Sequence, residues 1–549
     1  MRSCRRFIAV EQIARRGSRI LLLVLGAALL QLTQGCGGGG SSGGSSVTSL
    51  DPPPEPEPPG ELPASPFTGH VDQARITSGA MRFRELFIIG DELFETAFNS
   101  LDGVGALRLP DSTAHPTRFS RSPPGGGRFT GPNAQACNAC HNVPFGTSAG
   151  EASSNVIQDP ARAGLPPFNT RNTISLFGSG IIQRLAEEMT EELLLVQGEA
   201  AASALPGGPP VSLPLMAKGI SFGSISASRD GGGVLTIDSS AVEGVSSDLV
   251  IRPFGWKGGV PAVRTFVRDA ARNELGMEAD ELVVKTPGDG PDPDGDGVEG
   301  ELSVGDITAL TIYVAAQESP TTMERMARLR QMAPPGAEFE AASRRGSILF
   351  SEALCDSCHV RELRLLDPIF EEPTLRGGGN YRDEEMDPAA TSLDPARPLR
   401  FDLGADADFP RAERHPGGGL RVPLFGDLKR HFMGSALADS QPSPVVRASG
   451  QLLISGGAFG TVAVGEFLTP ELWGVGNTGP WLHDGRAGTL EDAIRLHGVA
   501  SPPPPGDPAR SEAQDSRDLF EAFSSKEKED LVTFLRSLIL FELPEAEGE

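Results

Sequence analysis

The chain has 549 residues, including 67 Gly and 47 Pro, and a formal net charge of -25. That length exceeds one ordinary core and suits two domains with appendages, while the Gly and Pro content argues for long irregular connections around modest helical cores. The acidic balance excludes nucleic acid and anionic lipid as partners held by charge; it reads either as a solvated, soluble surface or as a face offered to a basic redox protein.

Six Arg between Arg2 and Arg19 precede an apolar run from Ile20 to Leu30. The run is too short to span a bilayer but suits the core of a signal peptide over residues 1–35. It ends at Gly35-Cys36 and continues in Gly and Ser, a pattern similar to a bacterial lipoprotein cleavage site where the Cys36 thiol is acylated. Thr33 and Gln34 depart from the usual pattern, so a plain secretory signal stays open. Loss of the leader removes six Arg and one Glu, leaving 42 basic and 72 acidic side chains and a net charge of -30. The chain is expected to be exported to the periplasmic side or outer membrane of a bacterium, touching a membrane only through the lipid. Residues 36–65 are Gly/Ser-rich and then Pro/Glu-rich, and read as a flexible coil followed by a stiffer spacer.

From Gly79 to Asn99, Phe83, Phe87, Leu93, Phe94 and Phe98 recur at roughly helical spacing. Within this predicted helix, Gly90-Asp91-Glu92-Leu93-Phe94 is matched later by Gly346-Ser347-Ile348-Leu349-Phe350. Each copy precedes a Cys-x-x-Cys-His motif, Cys137-Asn138-Ala139-Cys140-His141 and Cys355-Asp356-Ser357-Cys358-His359. Two thiols at that spacing add to the two vinyl groups of one haem, and the adjoining imidazole is delivered to the iron. With six Cys and eight His in the chain, chance would supply such a motif roughly a thousandth of a time. No further Cys pair exists to complete a Cys-rich zinc site. Cys4 falls in the leader and Cys36 at the anchor, so the other four thiols hold two covalent c-type haems and none remains for a disulfide.

Ser303–Ala316 and Ser524–Ile539 both open with capping-type residues and then carry apolar stripes, as closing helices would. The shared plan predicts a mainly α fold of two cytochrome c-like haem domains with long irregular loops, at residues 70–325 and 337–543. In such domains the last helix packs across the first. The halves differ in one spacing: Phe350 lies five residues before Cys355, whereas Phe94 lies 43 before Cys137. The first half therefore carries an extra loop of about 38 residues, expected to fold over its haem.

Function turns on the sixth position of each iron. After the second motif, Trp481-Leu482-His483-Asp484-Gly485-Arg486 forms a turn, and Thr489 to His497 a short amphipathic helix that ends on a candidate ligand, His497. The corresponding stretch of the first half, Gly178 to Ala200, contains no His. Its Met189 sits among polar residues, which favours an open site at the first iron. Gln183, Glu187 and Glu188 are the nearby groups able to steer a proton during O–O cleavage, or else solvated helix charges; His115 in the long loop is a rival distal group. Separately, Asp292, Asp294 and Asp296 alternate before Gly297 like the first half of a calcium loop, with Glu299 and Glu301 as further oxygen donors. The twelfth position is Ser303 rather than Glu, so an acidic turn is the competing reading.

Together the two motifs, Pro470-Glu471-Leu472-Trp473-Gly474-Val475, Leu482-His483-Asp484-Gly485-Arg486-Ala487 and Phe254-Gly255-Trp256-Lys257-Gly258 resemble the bacterial di-haem cytochrome c peroxidase superfamily. The likeness covers roughly Ile89 to Leu540 and is nearest to its di-haem oxidoreductase family, with the di-haem rubber oxygenases as relatives. It implies that His497, fourteen residues after His483, is the distal ligand of the second haem, giving a lower potential than His/Met ligation. Asp484 and Arg486 then secure the turn or a haem propionate, with His483 beside them. The resemblance further implies an inter-haem electron relay at Trp256, unless that residue only packs, and calcium between the domains. His431 and Met433 match a family segment of unassigned role and remain minor candidates for an axial ligand. The function implied is reduction of peroxide at the first haem with electrons relayed by the second, supplied by an electron-donor protein. Dioxygen-dependent cleavage of an apolar substrate and plain electron carriage are the alternatives.

Overall fold

The computed structural model describes residues 66–104, 119–121, 128–130, 134–150, 155–158, 168–283, 292, 297–377, 381, 393–394, 396–404, 412–440, 442–445 and 461–541. The leader, Cys36, the spacer, His115, Asp294 and Asp296 lie outside the described residues. Residues 65–541 make one compact unit.

Helix α1 (Phe83–Glu95) crosses α3 (Val304–Ala315), and α4 (Ala337–Glu352) crosses α6 (Ser525–Arg536). Both later helices start at a Ser closed by a capping box, Ser303 with Asp306 and Ser524 with Glu527, which satisfies backbone amides that the first turn leaves free. The repeated Gly marks the crossing. A Cβ on Gly90 would stand 2.3 Å from the Ala309 carbonyl oxygen, and one on Gly346 would stand 1.9 Å from that of Asp530. One turn on, Phe94 packs on Tyr313 with ring centres 5.3 Å apart, and Phe350 packs on Phe534 at 5.5 Å.

The expectation of a mainly α fold is corrected: helices share the molecule with many short antiparallel strands. The largest sheet comprises β1 (Val211–Ala217), β2 (Ile220–Arg229) and β3 (Leu235–Asp238). Leu215, Ala217, Phe222, Ile225 and Ala227 are buried as the sheet packs on the long helix α2 (Ser179–Ser203). Its first hairpin turns at Lys218-Gly219, where φ is +46 and +84, the two left-handed positions of a tight hairpin turn. Further on, β4 (Thr321–Thr322) pairs with β5 (Leu538–Ile539), so the stretch after α6 returns to the stretch after α3.

The larger apolar core runs from Val71 to Trp473 and takes in Leu363, Leu365 and Phe370, while the smaller gathers Leu349, Phe350, Leu490, Phe520 and Leu531 around α4 and α6. Charge is also buried in the larger core. Glu281, fully enclosed, is held by Arg264 and by Arg268 at 2.8 Å, and Arg264 reaches Glu372 at 3.1 Å and Thr308 at 2.9 Å. Among the described residues no helix is long and apolar enough to cross a membrane.

Candidate functional site

Both Cys-x-x-Cys-His motifs adopt the same backbone. Each is a short 3-10 turn in which the first Cys carbonyl accepts the His amide, at 3.1 Å for His141 and 2.9 Å for His359. A backbone carbonyl then fixes each imidazole: His141 Nδ1 lies 3.0 Å from Ser148 O, and His359 Nδ1 lies 3.1 Å from Phe425 O. Neutral imidazole donates at that nitrogen and leaves Nε2 as the acceptor. Left-handed backbone aims these carbonyls without the help of glycine, with φ +62 at Thr147, next to Ser148, and +53 at Phe425 itself. The Phe of each repeated Gly-x-x-aliphatic-Phe segment flanks the imidazole, with ring centres 5.9 Å apart for Phe94 and His141 and 6.5 Å for Phe350 and His359. Burial pushes the pKa of both His141 and His359 down to about 4 and raises the Cys137 and Cys355 thiols to about 12. Both imidazoles are therefore neutral at pH 7, the form that binds metal.

Beyond the motifs the halves differ. Helix α5 (Leu490–Arg495), capped by Thr489, ends just before His497, whose Nδ1 lies 2.8 Å from the Ala493 carbonyl oxygen. The His497 ring faces that of His359 with centres 6.4 Å apart. A metal–imidazole bond of about 2 Å, plus the distance from nitrogen to ring centre, puts two imidazoles sharing one ion about 6–6.5 Å apart. Both rings line a cavity of about 240 Å³ together with Cys355 and Cys358. Glu471 also lines it, its carboxyl raised to about 7 by burial.

The far wall of this cavity includes Asn172, Thr173, Trp256 and His483. Trp256 Nε1 donates to the Asn172 carbonyl at 2.8 Å, and the amide of Gly150, in the loop after the first motif, donates to the Thr173 carbonyl at 3.3 Å. One short strand of chain thus touches the second cavity on one side and the first motif's loop on the other. Asn172 Oδ1 and Thr173 Oγ1 are buried there without a hydrogen-bond partner among the described residues. His483 stacks on Phe467 at 4.5 Å, and its amide oxygen accepts from Asn172 N at 2.7 Å. Arg486 closes on Asp484, as expected of a turn clamp, and donates to Ala436 O.

Other sequence candidates are committed elsewhere. Gln183 bridges Glu187 at 2.9 Å and the Val263 amide at 2.8 Å; Glu187 pairs with Arg184; Glu188 accepts from Lys218 at 2.6 Å and from the Leu366 and Asp367 amides. None of these partners belongs to a Cys-x-x-Cys-His motif. Met189 is fully buried in the larger core. His431 has both nitrogens occupied, Nε2 by Asp427 at 2.8 Å and Nδ1 by Glu512 at 2.7 Å. It also approaches Cys358 Sγ at 3.8 Å, and these groups with Asp427 form a cluster of metal-ligand types among the described residues. Asp292 accepts from the Gly297 amide at 3.1 Å, Glu299 is exposed, and the buried Glu301 accepts from the Glu278 amide at 2.6 Å. Met433 lines the cavity beside His431. Sequence reasoning missed Ser148 and Phe425, because a backbone carbonyl leaves no side-chain signature, and it missed the Tyr313 hydroxyl inside an apolar stripe.

No protein family matches the chain by sequence, and no curated protein does. Solved structures return slight likenesses. A MauG-like protein associated with microbial copper homeostasis is 17% identical, over 52% of this chain and 68% of that one, with a TM-score of 0.25. Hydrazine synthase of Kuenenia stuttgartiensis is 14% identical over 89% and 100%, with a TM-score of 0.28. A variant of the di-haem peroxidase BthA from Burkholderia thailandensis is 15% identical over 82% and 85%, with a TM-score of 0.24. At these scores the likenesses decide neither fold nor activity.

Proposed function

We propose that the chain is a di-haem c-type oxidoreductase. Cys137, Cys140 and His141 hold the haem that meets peroxide, and Cys355, Cys358, His359 and His497 hold the haem that relays electrons to it. The residues fit the group: each motif presents two thiols and a neutral imidazole fixed through Nδ1, and the second adds a facing imidazole. Bound there, haem supplies a redox iron that takes an oxygen ligand where its sixth position is free and is largely confined to electron transfer where that position is filled.

The observation that carries the reading is the His359–His497 pair at 6.4 Å, set against His141, whose ring contact among the described residues is with Phe94. The Ala493 and Phe425 carbonyls orient the imidazoles of the relay, and Phe350, Leu490 and Leu535 give their cavity an apolar lining. Trp256 relays the electron from the second haem to the first, a role supported by its place in the lining of the second site's cavity and its hydrogen bond to the Asn172 carbonyl. Gln183, Glu187 and Glu188, each held by buried hydrogen bonds, are the groups on this helix proposed to steer a proton. The lipid attachment at Cys36 completes the proposal by holding the chain outside the inner membrane, where c-type haem is attached.

An optical and EPR titration of the haem-loaded protein tests it. One haem should stay low-spin with two imidazoles, while the other turns high-spin, binds carbon monoxide and reacts with peroxide. Two low-spin haems inert to both ligands in every redox state would sink the proposal and leave an electron carrier. Oxygen uptake on polyisoprene without peroxide turnover would replace it with dioxygen chemistry.

A further inference from the structure

The two helix crossings are built on one plan, and two of the positions at which they differ bear on chemistry. Where α4 carries Gly346-Ser347 and meets Phe534, α1 carries Gly90-Asp91 and meets Tyr313. Tyr313 and Phe534 stand at the same place, ten residues after the capping Ser of their helices, and each packs on the Phe of the repeated segment. In the second half a phenyl ring suffices to fill that space. In the first half the same space holds one of only two tyrosines in the chain, 5% exposed, with a hydroxyl, and a carboxylate beside it.

Tyr313 Oη lies 2.5 Å from Thr147 Oγ1, and the Asp91 carboxylate is near enough for each group to shift the other's pKa. Thr147 is the left-handed residue preceding Ser148, whose carbonyl fixes His141. Between the phenol and that imidazole stands Phe94, 5.3 Å from the Tyr313 ring and 5.9 Å from the His141 ring. Gly90 makes the arrangement possible, because a Cβ there would stand 2.6 Å from that of Tyr313. Burial, and then the nearby Asp91 charge, raises the Tyr313 phenol well above its usual range, so a phenolate does not form; burial likewise raises Asp91, which makes it a ready proton acceptor.

We infer that Tyr313 is a one-electron oxidisable site behind the first haem, with Asp91 taking its proton. The inference rests on the reading that this haem is oxidised by peroxide. Hydrogen peroxide, on taking up two electrons and two protons to give two waters, would leave a haem held by His141 two electrons short. Tyr313 returns one of them through the Phe94 contact; its O–H bond breaks, the proton moves to Asp91, and a neutral phenoxyl radical and a carboxylic acid remain. The departing electron takes one negative charge from the buried pair, so the carboxylate is discharged and no new ion is created in a medium that would penalise it. The second half, with Phe534 and Ser347 in the matching places, has no such site.

The test is rapid-freeze EPR of the haem-loaded protein after mixing with hydrogen peroxide. A radical with tyrosine ring-proton hyperfine structure is expected in the unaltered protein and in Tyr381→Phe, absent in Tyr313→Phe, and several-fold weaker in Asp91→Asn, which keeps a hydrogen bond but accepts no proton. The Tyr381→Phe protein grown on 3-fluorotyrosine keeps the native packing, and fluorine splitting of its radical should identify Tyr313. A merely structural tie between α1 and α3 would change thermal stability in these variants and leave no radical to lose. Haem oxidation without any radical, or a radical that survives Tyr313→Phe, overturns the inference while the peroxide reading stands. If peroxide leaves the haem spectrum unchanged, the peroxide reading fails. Photogenerated ruthenium(III) tris-bipyridine then serves as the oxidant, and the presence or absence of a Tyr313-dependent radical decides the inference.

Discussion

At the scale of single residues, the second site depends on two imidazoles held in the same manner by carbonyls from different segments, Phe425 for His359 and Ala493 for His497. Because the nitrogen opposite each hydrogen bond faces the cavity, a change of side chain at 497 should alter the iron's ligand without moving its partner. Under the proposed ligation, His497→Met should raise the reduction potential of the second haem by on the order of 0.1 V or more, read by spectroelectrochemistry, because thioether sulfur favours the ferrous state. An unchanged potential would remove His497 from the ligand set. The sequence singled out His497 by a helix start and, through the family resemblance, by its spacing from His483, and the structure sets its ring 6.4 Å from that of His359. Ser148 and Phe425 were not, since any residue offers a carbonyl and only the fold aims it. The reading of Glu187 and Glu188 as solvated helix charges, the alternative to proton steering, is the one the structure does not support, because Arg184 and Lys218 pair with them in the interior.

At the scale of elements, the helices were legible to within a few residues where a cap announced them. Ser303 and Ser524 head α3 and α6, and each cap is worth about 1 kcal/mol, so Ser524→Ala should lower stability by that much in thermal or urea unfolding. The strands were harder to see. In Val211–Ala217 and Ile220–Arg229 alternate residues are buried, but Gly and Ser dilute the pattern, and the Lys218-Gly219 turn is a weaker hairpin signal than Asn-Gly. The Gly-x-x-aliphatic-Phe repeat identified two matching helices, and the structure supplies its physical reason, the close crossing. Gly346→Ala should therefore destabilise by about 1–3 kcal/mol or more, because a methyl group 1.9 Å from the Asp530 oxygen forces α4 and α6 apart. Ala at the exposed Gly198, within α2 and with open space around it, is the control and should cost nothing.

At the scale of the molecule, the buried cluster of Arg264, Arg268, Glu281 and Glu372 ties the segment 369–372 to helices of the first half. Burial alone would raise the Glu281 carboxyl, but the Arg264 and Arg268 charges and hydrogen bonds outweigh it and hold the pKa below its ordinary 4.5. A carboxyl with a lowered folded pKa contributes stability that is fully present above pH 4.5 and is lost as pH falls through the folded value. Glu281→Gln should thus cost about 3–5 kcal/mol at pH 7, and the gap from the unaltered protein should narrow below pH 4.5 in urea unfolding. A gap independent of pH would mean that shape rather than charge holds the cluster. Sequence reading anticipated the two helix crossings, yet nothing in it joined residues so far apart. The pairing of Leu538–Ile539 with Thr321–Thr322 extends this to the order of assembly. A strand near the start of the second half of the chain waits for its partner until α6 has been synthesised, so a ribosome-bound fragment ending before Leu538 should carry an open edge. The fold is fastened late, by a latch supplied only after both haem motifs have emerged.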